Sequence, residues 1–286
     1  MTANMIFWHC FPAEIRLTIL EFLLQDGCSL ADFAIVSREW QTIIERHNFS
    51  RIKLTSSRVA NFGLMVHRNR SLVRYIWLCL QLQEYDCAEC EPQDVYPTAL
   101  SYAENSLITT AFQDLFSTLS VWEPGSSLLL DISVYSPSDS EHWFKYLTFE
   151  PDVASDVCSR DIDAEQLMLV KANDPHHGWV AGSSVSVPSY LAIEKVFGEI
   201  MGEGPFDDEE EEGQWWQQLP LVPAVTGVLI RQQTRRRWKP AALAQMFTRL
   251  PGLQEINYEL WREWSTVQQK WTDQCEFLLH NSLLSP

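Results

Sequence analysis

Four short segments read as strands, two of them with side chains sorted alternately onto two faces, and each follows a stretch that reads as a helix. In 73–82, Ile76, Leu78, Leu80 and Leu82 share one face, and Tyr75, Trp77, Cys79 and Gln81 the other. Leu128, Leu130, Ile132 and Val134 do the same in 127–135, and 224–232 and 253–260 are read as two further strands. Period two is the mark of a half-buried strand. The helical stretches are 57–68, 101–119, 189–202 and 240–250, the last with Pro240 at its start. A chain repeating helix then strand buries its strands by laying them parallel, with helices packed on one side. The predicted fold class is α/β (mixed), with a repeat-like body over 55–286. A further strand is predicted at 165–170 and a last helix, with Trp261, Trp264 and Trp271, to about 280. Residues 281–286 offer no capping unit. Loops are expected at 151–163 and 203–213. The second holds six consecutive acids, Asp207 to Glu212, read as a solvated segment opened by self-repulsion.

Residues 1–54 read differently, as a small helical unit. Ile15, Ile19, Phe22 and Leu23 fall on one helical face, Pro12 suits a first turn, and Gly27 suits a helix end. Ser29 and Ser37 are candidate N-caps, the first for a short helix at 30–36 and the second for a helix carrying Trp40, Ile43 and Ile44. Charge divides the chain at about the same place. Residues 1–70 carry eight Lys and Arg against six Asp and Glu, whereas 71–286 carry thirteen against thirty-two.

The net charge of −17 argues against nucleic acid and against anionic membrane as partners of the whole molecule. No apolar run approaches the roughly 18 residues of a membrane span, and the first ten residues lack the basic start of a secretory signal. Seven scattered cysteines, in a chain large enough not to need staples, read as reduced thiols of an intracellular protein in cytoplasm or nucleus.

The stretch Phe11-Pro12-Ala13-Glu14-Ile15, the apolar positions Ile19, Leu20 and Leu23, and Val36-Ser37-Arg38-Glu39-Trp40 together resemble an F-box. Phe11 stands where that family usually has Leu, and the turn at 25–29 is slightly longer than usual. The rest of the chain resembles filamentous-fungal F-box-like proteins. The carrying stretches are Asp26-Gly27-Cys28-Ser29-Leu30, Leu72-Val73-Arg74-Tyr75-Ile76-Trp77-Leu78, Ser136-Pro137-Ser138-Asp139-Ser140-Glu141-His142, Arg235-Arg236-Arg237-Trp238 and Leu250-Pro251-Gly252-Leu253-Gln254-Glu255-Ile256. The resemblance implies a three-helix F-box over 1–54 and an irregular leucine-rich-repeat-like body over 55–286. The units are uneven and exceed the roughly 20–29 residues of regular repeats. It also implies a non-catalytic substrate-receptor subunit of a cullin-type ubiquitin ligase, docking a Skp-type adaptor and through it a cullin. The alternative is a protein-interaction scaffold outside the ligase, with a degenerate or cullin-independent F-box.

By that resemblance the candidate docking or supporting positions are Phe11, Pro12, Ile15, Leu20, Leu23, Leu24, Val36 and Trp40. Pro12, Ile15 and Leu20 are expected at the interface, because so small a bundle cannot bury all its apolar groups. Trp40 is expected to pack the bundle itself. If the apolar strand rows face the helices, the opposite rows form a second surface, for a protein target. It would hold Tyr75, Trp77, Asp131, Ser133, Tyr135, Arg231, Glu255, Asn257 and Glu259.

Signals for catalysis are weak. Cys87-x-x-Cys90 has no second pair at matching spacing, and His176-His177 are adjacent rather than spaced, so neither metal nor cofactor is expected. No nucleophile elbow, phosphate-binding glycine loop or His-Glu-x-x-His motif occurs. Arg235-Arg236-Arg237 with Trp238 and Lys239 reads as a strand end paired to an acid-rich body, or as a basic import or phosphate-binding patch. The 136–141 stretch reads as a phosphorylatable segment or as a plain turn.

Overall fold

A computed structural model describes residues 8, 11–25, 30–90, 100–125, 127–139, 175, 178–181, 183–186, 190–202, 204–231 and 236–259. Helix α1 (Ala13–Gln25), a 3-10 helix (Ala31–Ile35) and α2 (Arg38–Ser50) precede strand β1 (Arg51–Thr55). Two short helices, α3 (Ser56–Val59) and α4 (Phe62–Val66), and a 3-10 turn (Arg70–Leu72) lead to β2 (Tyr75–Gln81). Helices α5 (Cys87–Cys90) and α6 (Tyr102–Leu119) lead to β3 (Leu128–Tyr135). After the antiparallel pair β4 (Trp179–Val180) and β5 (Ser183–Ser184) come α7 (Tyr190–Phe197), β6 (Glu199–Ile200), α8 (Glu209–Gln218) and β7 (Val225–Ile230). Strand β8 (Arg237–Trp238) pairs parallel with β6, and α9 (Pro240–Thr248) leads to β9 (Glu255–Tyr258).

Five strands form one parallel sheet in the order β1-β2-β3-β7-β9, so strands adjacent in this sheet follow one another along the chain. The register aligns side chains into rows. Ile52, Ile76, Leu130 and Val228 form one apolar row, and Leu54, Leu78, Ile132 and Ile230 the next. These rows share one buried cluster with Val59 of α3, Phe62 of α4, Phe116 of α6, Trp216 of α8 and Leu243 of α9. The helices therefore cover a single face, as repeated crossovers of one hand require. Phe112 of α6 sits at the centre, its ring 5.8 Å from those of Phe116 and Trp216 and 5.7 Å from that of Trp238. Helix α6 starts at a capping box in which Ser101 accepts from the Glu104 N–H and Glu104 accepts from the Ser101 N–H. The turn before β9 needs Gly252, because a Cβ there would meet the Pro223 carbonyl oxygen.

The strands predicted at 73–82, 127–135, 224–232 and 253–260 and the mixed α/β class stand, and three local expectations are corrected. The 57–68 stretch is two short helices rather than one. The 189–202 helix stops at Phe197 and gives way to β6. The acids at 207–212 are not a loop throughout, because α8 begins at Glu209. Asp208 caps it, accepting from the Glu211 N–H at 2.8 Å, while Glu211 accepts from the Asp207 N–H at 2.9 Å. Acids in a first turn oppose the positive end of the helix dipole, which outweighs their mutual repulsion. The expected strand at 165–170, the loop at 151–163, the last helix, Ser29 and Gly27 lie outside the described residues. No helix among the described residues is long and apolar enough to cross a membrane.

Candidate functional site

The N-terminal helices carry two populations of apolar side chains. Leu20 of α1, Leu30 and Ile44 of α2 are buried, and the chain folds around them. Ser37 is extended and caps α2, its hydroxyl accepting from the Trp40 N–H at 3.3 Å. The Trp40 ring lies 5.1 Å from that of Trp8 and 6.1 Å from that of Phe33. Glu39 ties the unit together, accepting from Arg16 Nε at 3.0 Å and from Trp8 Nε1 at 3.1 Å. Around this core Ile15, Leu17, Phe22, Phe33, Ile35 and Val36 are exposed, with Ile35 89% and Phe22 64% accessible. Six large apolar side chains are thus open to solvent within 22 residues, and exposed apolar groups in such number are what a docking surface offers.

Of the residues singled out from the sequence, Pro12, Ile15 and Val36 are exposed, and Phe11, Leu23 and Leu24 are half-buried. Trp40 packs within the unit as expected. Leu20 is corrected: at 1% exposure it belongs to the core, because it lies on the side of α1 turned away from Phe22 and Ile15. Leu17, Phe22, Phe33 and Ile35 were missed as surface positions. The available signal was that α1 is apolar nearly all round, more than one core-facing stripe needs.

The second surface is the sheet face away from the helices. Its rows run Arg51, Tyr75, Leu129, Gly227, Glu255 and Lys53, Trp77, Asp131, Leu229, Asn257. The expectation that these side chains are open is corrected at the centre, where Trp77, Asp131 and Ser133 are buried. Their polar atoms find one another across strands. Trp77 Nε1 donates to Ser133 Oγ at 3.0 Å, the Tyr75 hydroxyl donates to Asp131, and Arg231 Nε donates to Asp131 Oδ2 at 2.8 Å. Arg231 Nη2 also reaches the Tyr75 oxygen at 3.3 Å. Burial, then the hydrogen bond to Asp131 and its negative charge, push the Tyr75 hydroxyl up to about 12, against the pull of Arg231. Tyr135 is likewise raised to about 12, by burial and by neighbouring Cys79, whose thiol burial also pushes up. Tyr75, Tyr135 and Arg231 are half-buried, while Glu255, Asn257 and Glu259 stay open at the far edge. The arrangement is a rigid polar centre with accessible margins.

A second buried polar cluster uses the motifs around 138 and 236. Arg236 and Asp139, both buried, pair at 3.2 Å, and the Tyr85 hydroxyl donates to Asp139 Oδ1 at 2.8 Å. Arg236 Nη1 donates to the Lys195 carbonyl at 2.7 Å. Burial first, then the Asp139 charge, push the Tyr85 hydroxyl strongly up. Arg236 is thus a paired strand-end arginine, not part of an open patch. Ser136 and Ser138 are buried as well, so neither is an accessible phosphorylation site in this fold. Cys90 is buried and donates to the Cys87 carbonyl at 3.3 Å, whereas Cys87 is exposed. Among the described residues no three His, Cys, Asp or Glu side chains are arranged to hold a metal ion. Cys158, His176 and His177 lie outside them.

Comparisons with protein-family models, with curated proteins and with solved structures each found no match to this chain.

Proposed function

We propose that this chain is a substrate-receptor subunit of a cullin-type ubiquitin ligase. Its three-helix N-terminal unit acts as an F-box that docks a Skp-type adaptor. The body, an irregular leucine-rich-repeat-like stack of helix and strand units, holds a protein target. Catalysis belongs to the conjugating machinery that the adaptor and cullin bring, and this chain contributes proximity.

The carrying observation is that Pro12, Ile15, Phe22, Ile35 and Val36 stay open to solvent on a unit that has its own core in Leu20, Leu30 and Ile44. Three of those five were named from the F-box resemblance alone. Full burial of such a side chain gains about 1.5–3 kcal/mol. Covering a patch of this size is therefore of the same order as the 4–15 kcal/mol that association costs, which suits a hot-spot centre completed by a polar rim.

The test is co-expression with a Skp-type adaptor. Wild type gives a stable complex that captures cullin, and the Pro12→Ala, Ile15→Asp double variant loses both partners while keeping its melting temperature. Equal adaptor affinity in the double variant overturns the docking assignment, and adaptor capture without cullin turns the reading to a scaffold outside the ligase.

A further inference from the structure

One stretch of this acidic chain is strongly basic. Between residues 46 and 83 there are seven Lys and Arg and not one Asp or Glu, while the remainder of the chain carries fourteen against thirty-eight. All seven, from Arg46 to Arg74, are exposed. Among the described residues none of them lies within ion-pair distance of a carboxylate, although four other cations do. Seven open cations without a paired carboxylate among the described residues favour a local field opposite in sign to that of the whole molecule.

The fold draws part of this charge to one rim. The Arg74 N–H donates to the Ser50 carbonyl at 2.9 Å, and the Leu129 N–H donates to the Arg74 carbonyl at 2.9 Å, so β1, β2 and β3 start side by side there. Arg51 pairs with Tyr75 in register, its guanidinium 4.3 Å from the ring centre. Beside these strand starts a cleft of about 590 Å3 opens between the 3-10 turn and the loop before β3. It is lined by His67, Arg68, Arg70 and Ser71 on one side and by Trp122 and Glu123 on the other.

We propose that this rim is a binding site for an acidic, carboxylate-rich segment of a partner protein, seated in the cleft against Arg68 and Arg70 and running past Arg74 and Arg51. The cations are open and divided between the cleft and the starts of β1 and β2, which matches a row of charges. A dedicated site for one dianion would instead bury its donors around a point. The strongly negative remainder of the chain opposes a long polyanion such as RNA or DNA, whose charge extends beyond the rim, but not a short peptide confined to it. The site uses none of the N-terminal docking residues and stands apart from the ligase reading.

The test is fluorescence anisotropy with the full-length protein and a labelled twelve-residue Asp/Glu peptide. The comparison probes are its Asn/Gln counterpart and a twelve-nucleotide RNA. The acidic peptide binds and the neutral one does not, and affinity falls at least tenfold on raising salt from 50 to 300 mM. Arg68→Glu with Arg70→Glu lowers affinity at least tenfold, with an unchanged circular dichroism melt. Arg68→Lys with Arg70→Lys keeps it within about threefold, which separates lost charge from lost fold. No binding of the acidic peptide, equal binding by the charge-reversal variant, or tighter binding of the RNA overturns the proposal.

Discussion

Arg231 and Asp131, one hundred positions apart, meet at 2.8 Å on the sheet face away from the helices, and the Asp131 side chain has no accessible surface. The guanidinium beyond the end of β7 and the Tyr75 hydroxyl on β2 both donate to Oδ2 of this carboxylate. It is the polar keystone of the three central strands.

Removing one member of such a pair strands the other without compensation. Asp131→Ala is expected to lower unfolding stability by about 3–5 kcal/mol, read from urea titrations. Asp131→Leu combined with Arg231→Met recovers part of that loss, since a buried pair is replaced by apolar packing. A double variant no better than Asp131→Ala alone would show that the pair is not what the two changes disturb.

The tyrosines set an alkaline limit. Tyr75 and Tyr135, raised to about 12, keep their protons in the folded state where an unfolded chain has lost them near 10. The folded state then binds more protons, so stability is fully present below pH 10 and declines as pH rises from 10 to 12. Absorbance at 295 nm against pH is expected to show a late-titrating group of tyrosines. Tyr75→Phe removes one of them and flattens the alkaline loss of stability.

Helix α8 depends on one cap. Asp208→Ala is expected to cost about 1 kcal/mol, while Asp207→Ala, whose backbone rather than side chain is used, stays within about 0.5 kcal/mol. Lys239 answers this helix from the start of α9, its ammonium 2.8 Å from Glu212. Burial works against that charge, but the hydrogen bond to Glu212 and the charges of Glu212 and Glu209 outweigh it and raise the Lys239 pKa. Lys239→Met therefore destabilises the protein by leaving the buried Glu212 uncompensated, and equal thermal melts for the two proteins would refute the coupling.

Core and surface in the N-terminal helices separate by mutation. Leu20→Ala is expected to cost about 2–5 kcal/mol in a denaturant titration. Phe22→Ser and Ile35→Ser leave stability within about 0.5 kcal/mol and, on the docking proposed above, are expected to weaken adaptor capture. Equal destabilisation by all three would mean that Phe22 and Ile35 are packed in solution.

Much of this architecture is legible in the chain itself. Alternation at 73–82 and 127–135 placed Ile76, Leu78, Leu130 and Ile132 on the core face, and they are there, because a pleated strand sends every second side chain the same way. Ser37 as the cap of α2 was readable for a similarly local reason. Such features are settled within a few residues, where covalent geometry and short hydrogen bonds decide. Long-range facts were not legible. Nothing local told that Leu20 faces inward while Phe22 faces water, since a helix apolar all round does not say which side a neighbour will cover. Nor did anything local tell that Asp131 would be buried against Arg231, or that Arg236 would find Asp139. The sequence alone determined strands β2, β3, β7 and β9, which rows of β2 and β3 face the core, and the division of charge between the two parts of the chain. Only the tertiary structure decided which polar groups pair, which apolar groups stay open and where the arginines gather, because those depend on residues brought together from far along the chain, whose contacts no local pattern encodes.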